Sequence, residues 1–109
     1  MHQLDYTTVT GSGEALDIQF PLHEETRSAD DVAGMLSAVL EALSKQIEGG
    51  GETSDGDVLQ ALAMAMAVRA RMVDVSPAVS LKLMNELVEG AFEATLKAGI
   101  SPGLNIIFG

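Results

Sequence analysis

Few residues of this chain have the types that metal or proton chemistry needs, and their spacing limits what they do. His2 stands three places before Asp5, and His23 directly precedes Glu24 and Glu25. Imidazole and carboxylate both bind zinc, but a zinc site takes three or four ligands oriented by a further layer of hydrogen bonds. Neither histidine belongs to such a spacing, so the sequence assigns no metal. Met64, Met66 and Met72 supply thioethers, which suit Cu(I). They share one helical stretch, where residues two apart point in nearly opposite directions. Met64 and Met66 therefore do not chelate one ion, and Met64 and Met72 lie two turns apart. Filling a core or an interface is the role that remains for them.

Covalent and acid–base chemistry fare no better. The chain has no cysteine, no serine in a nucleophile elbow, and no serine partner for either histidine. Its carboxylates fall on polar helix faces or in loops, and nothing isolates a pair of them in an apolar site, as catalytic tuning requires. The glycine-rich stretches GSGE (11–14) and GGGETSDGD (49–57) resemble phosphate loops only in glycine content. The second leads into a helix, but it has no P-loop lysine and its acids repel phosphate. The expectation is a non-enzyme with no catalytic residue, no metal and no cofactor.

Two arginines raise a different question. Residues 58–72, VLQALAMAMAVRARM, are apolar almost throughout before Arg69 and Arg71. On a wheel of about 100° per residue, Val58, Leu59, Leu62, Met66 and Val73 cluster, and Arg69 falls among them. Arg71 falls on the other side with Gln60 and Met64. Arg69 is thus expected to point inward, where an arginine must snorkel out or be paired with a carboxylate of this chain or of a neighbour.

The elements that hold these residues follow from periodicity and punctuation. Leu16, Ile18, Phe20 and Leu22 alternate with Asp17, Gln19, Pro21 and His23, which is the pattern of a half-buried strand. The β-branched stretch from Leu4 to Thr10 precedes it, with GSGE between them, so a hairpin over 4–22 is expected. Ser28 with Asp31, Ser54 with Asp57, and Ser76 followed by Pro77 are helix-start signals. They open helices at about 29–48, 55–73 and 77–98, with GGG at 49–51 ending the first. Val32, Leu36, Val39, Leu40, Leu43 and Ile47 form the apolar stripe of helix 1. Leu83, Met84, Leu87, Val88, Ala91, Phe92 and Thr95 give helix 3 a wide inner face. In the tail, Leu104, Ile106 and Phe108 alternate, and a strand at about 104–108 would support a hairpin that is marginal alone. The fold class is therefore α+β, mainly α, of order β-β-α-α-α-β, in a single domain over 1–109.

Composition narrows the function classes. With 109 residues, six basic against sixteen acidic side chains and a net charge of −10, the chain repels nucleic-acid backbones and anionic membranes. The start of the chain has no basic stretch followed by an apolar one, so no signal peptide is expected. The apolar runs are too short for a membrane span, and the lack of cysteine fits a reducing cytoplasm of bacterial type.

Helix 2 is apolar nearly all round, and two other helices with a small sheet offer little to cover it. The leading expectation is a protein–protein interaction or assembly module that self-associates as a homodimer through helices 2 and 3. Its interface candidates are Leu59, Leu62, Met64, Met66, Arg69, Met84, Leu87, Phe92, Ile106 and Phe108. Two alternatives stand beside it. One is an acidic inhibitor, a nucleic-acid mimic that blocks the basic surface of a partner protein. The other is a carrier of a small apolar ligand.

Overall fold

The computed structural model of the chain describes residues 3–9 and 13–100, the side chain of Ile100 excepted. Six elements follow one another: β1 (Gln3–Val9), β2 (Ala15–Pro21), α1 (Ala29–Gly49), α2 (Asp55–Arg71), α3 (Pro77–Leu96) and β3 (Gly99–Ile100). The fold is α+β and mainly α, with the N-terminal hairpin and three helices in the expected order. The third strand pairs earlier in the chain than the tail pattern indicates. Residues 104–108 lie outside the described residues.

The sheet has the order β1-β2-β3 and is antiparallel throughout. Its register sets Leu4 against Phe20, Tyr6 against Ile18 and Thr8 against Leu16. Those six side chains share one face, as a period of two requires, and all are buried or half-buried. The Tyr6 and Phe20 rings meet diagonally across the strands, with centroids 6.3 Å apart and planes tilted by 49°. Such a tilted pair adds to the area it buries. β3 places Ile100 beside Leu16 and Gly99 beside Asp17.

Each helix starts where its serine predicts. The Asp31 N–H donates to Ser28 Oγ at 3.1 Å, Asp57 N–H to Ser54 Oγ at 3.1 Å, and Val79 N–H to Ser76 Oγ at 3.3 Å. Each bond satisfies one of the amide donors that a helix start leaves open. α1 stops in the triple glycine for two separate reasons. Gly51 takes φ +79°, which favours glycine, and a Cβ on Gly50 would stand 2.8 Å from the Gln46 carbonyl oxygen.

The chain divides into two compact units, residues 1–33 with 86–109, and residues 34–85, and the division falls within α1 and α3. In the first unit lie all the buried apolar side chains among the described residues: Ala15, Ile18 and Ala94. α3 passes close to the end of β2 at Gly90, where a Cβ would make an ordinary contact 3.6 Å from Pro21 Cγ. The second unit is built from helix alone. Leu36, Leu40, Leu43, Val58 and Leu62 are half-buried in it, and none of its side chains is fully buried. The α1 stripe is thus largely as its periodicity indicates, with Val39 and Ile47 at its exposed margin.

Candidate functional site: the apolar faces of α2 and α3

The residues singled out from the sequence divide by how far the fold covers them. Leu62 and Met84 are half-buried. Leu59 is 68% exposed and Phe92 63% exposed, and Met64, Met66 and Leu87 are exposed as well. Ile106 and Phe108 lie outside the described residues. The wide inner face expected for α3 is corrected by the structure. Leu83, Leu87, Val88 and Phe92 are exposed, and the buried residue of this helix is Ala94, at 8% exposure. Alanine carries too little apolar surface to mark a face by pattern, which is why periodicity passes over it.

α2 itself buries no side chain. One arc, made of Ala61, Leu62 and Ala65, faces Val39, Ala42 and Leu43 of α1 across an open apolar cleft of about 300 Å³. Most of the rest of its circumference is exposed, with Val58 and Ala70 half-buried, although Leu59, Met64, Met66 and Val68 are large and apolar. Of the two outcomes expected for Arg69, reaching solvent or pairing with a carboxylate, the structure shows the first. It is exposed, and neither it nor Arg71 forms an ion pair among the described residues. The wheel places Arg69 among apolar neighbours correctly, but most of those neighbours are themselves uncovered. The charge distribution along α2 is equally distinct. Asp55 and Asp57 occupy its first turn and Arg69 and Arg71 its last, while residues 58–73 contain no acid in a chain of net charge −10.

A second feature, in the first unit, was not legible from motifs. A cavity of about 490 Å³ lies beside the sheet, lined among others by Asp5, Thr7, Asp17, Gln19 and Lys97. The hairpin register collects these groups, since Asp5 faces Gln19 and Thr7 faces Asp17. Strand alternation was the available signal. Thr7 Oγ1 donates to Asp17 Oδ1 at 2.8 Å, and Gln3 Nε2 donates to Asp5 Oδ1 at 2.9 Å. Both carboxylates are exposed, so the cavity does not hold an acid away from water in the way acid–base catalysis demands.

The histidine candidates separate. His2 lies outside the described residues. His23 Nδ1 accepts a hydrogen bond from the Glu25 N–H at 3.1 Å, which turns that nitrogen toward its own loop. Among the described residues no three His, Asp or Glu side chains gather as a metal would require. No described helix is long and apolar enough to cross a membrane. No protein-family model matches the chain, and neither the curated proteins nor the solved structures compared with it include a match.

Proposed function

We propose that this chain is a non-enzymatic assembly module that forms a homodimer through α2 and α3 in a reducing cytoplasm. The observation that carries the reading is the largely exposed circumference of α2, a 17-residue helix with no buried side chain and four large exposed apolar ones. Full burial of a Leu, Met, Val or Phe side chain contributes about 1.5–3 kcal/mol. An amphipathic helix in water is marginal without tertiary packing, so α2 gains most from a cover. α3 carries exposed apolar side chains of its own, Val79, Leu81 and Leu83 in the second unit and Leu87, Val88 and Phe92 in the first.

Electrostatics favour this surface over others for self-association. Two copies of a chain at −10 repel, and a contact over residues 58–73 sets no carboxylate against another. The α1–α2 cleft suits a macromolecular contact better than a small ligand. It is open, and none of its six lining residues has a polar side chain to orient one. The test is a mass measurement by multi-angle light scattering at micromolar concentration. A dimer is expected, and a strictly monomeric mass overturns the reading.

A further inference from the structure

The uncovered arc of α2 has a regular seam. Leu59, Ala63, Met66 and Ala70 recur at steps of four, three and four, the spacing that keeps one line of a helix against another helix. Leu59, Ala63 and Met66 are exposed and Ala70 half-exposed. At about 100° per residue, this seam is centred roughly 120° from the arc that faces α1, and Leu62, which also lines the cleft with α1, stands at the boundary between the two. Along the edge nearer α1, the seam is flanked by Asp55, Leu62 and Arg69, seven residues apart. An acid, a leucine and a base stand in a line with the leucine at its midpoint.

Resting on the assembly reading above, we propose that the occupant of this seam is the α2 helix of a second copy, laid antiparallel about a two-fold axis that passes beside Leu62. An antiparallel two-fold contact brings like edges together. Leu62 then meets Leu62 of the copy, and Asp55 meets Arg69 of the copy at both ends. Each large seam residue faces a small one: Leu59 lies against Ala63 of the copy, and Met66 against Gly56. A parallel pairing sets Asp55 beside Gln60 of the copy and Arg69 beside Asp74, past the end of α2, so it gives one of the two charges an opposite where the antiparallel contact gives both. The arrangement accounts for two features that nothing among the described residues satisfies, the exposed seam and an Arg69 without an ion pair.

The absence of native cysteine makes orientation directly measurable. Leu62→Cys and Ala70→Cys are each oxidised under mild conditions, and disulfide-linked dimer is read on a non-reducing gel. The antiparallel seam predicts a crosslink at 62 and none at 70, where the two copies stand about 24 Å apart along the axis at 1.5 Å per residue. Asp55→Arg and Arg69→Asp are each expected to raise the dimer dissociation constant about tenfold, through two lost pairs and new repulsion. The double variant is expected to return within about threefold of wild type. Circular dichroism on Asp55→Arg checks that the helix start survives, and Arg69→Asp carries the test if it does not. A dimeric mass with a crosslink at 70, with none at 62, or with no rescue overturns the seam and leaves the assembly reading standing. A monomeric mass overturns both.

Discussion

Ser54 and Asp57 cap the start of α2 reciprocally. The Asp57 N–H donates to Ser54 Oγ at 3.1 Å, and the Ser54 N–H donates to Asp57 Oδ2 at 3.2 Å. The pair closes a capping box with aspartate in the place that glutamate usually takes. Because α2 buries no side chain, its ends contribute an unusual share of its stability within the chain. Ser54→Ala is expected to cost about 1 kcal/mol, and Ser54→Gly only a few tenths. Urea titrations followed by circular dichroism at 222 nm distinguish the two. Equal midpoints for Ser54→Ala and wild type would show that the cap contributes nothing.

Two glycines, one inside α1 and one just past its end, separate into one that costs stability and one that the chain needs. Gly34 lies inside the helix, exposed, and a Cβ there meets nothing within 4 Å. Gly34→Ala is expected to stabilise by about 0.5–1 kcal/mol, from the backbone entropy that glycine loses on folding. Gly51, at φ +79°, is the opposite case, and Gly51→Ala is expected to cost about 1 kcal/mol. Thermal midpoints of the two variants should move in opposite directions from wild type. Movement in the same direction is incompatible with these backbone geometries.

What the sequence made legible follows the same division between local and tertiary causes. Ser28, Ser54, Ser76 and Pro77 act on amides within four residues, so they place three helix starts without reference to anything distant. The glycine stop works locally too. The alternation of Leu16, Ile18 and Phe20 yields the strand and its inward face, because the period of two is a property of the backbone. Burial depends on what arrives from elsewhere, and there pattern was weaker. Ala94 is buried and Phe92 exposed on the same helix, a reversal that no hydrophobicity rule contains. The wheel sets Arg69 among apolar neighbours but leaves open whether it reaches solvent, since a wheel reports direction around a helix and not whether anything stands there; the structure leaves it exposed. The cavity beside the sheet depends on strand register, which fixes Thr7 opposite Asp17 only once the hairpin length is known.

Ile18 is the most deeply buried apolar side chain described, at 5% exposure. It lies opposite Tyr6 in the register. Truncating it removes transfer energy and leaves a void that neighbouring strands fill only in part. Ile18→Ala is therefore expected to cost about 2–4 kcal/mol, against less than about 1 kcal/mol for the exposed Val9→Ala. Chemical denaturation of both variants gives the comparison. Similar losses for the two would place the core elsewhere than on this face of the sheet.

Leu59 tests whether exposure in one chain persists in solution. In an isolated protomer, Leu59→Ala trims a side chain that is already largely in water, and surface changes of that kind stay within about 0.5 kcal/mol. In the antiparallel dimer the same leucine packs against Ala63 of the copy twice, once on each side of the axis. The expected signature is concentration dependence. At protein concentrations well below the dimer dissociation constant, the thermal midpoints of Leu59→Ala and wild type coincide. Well above it, the variant melts lower, because association stabilises only the folded state and by an amount that depends on concentration. The loss should reach about 1–3 kcal/mol per dimer. Val68→Ala, on another arc of the same helix, controls for a general effect of losing apolar surface from α2. A midpoint difference for Leu59→Ala that is the same at every concentration would locate the role of this residue inside the protomer and remove it from the seam.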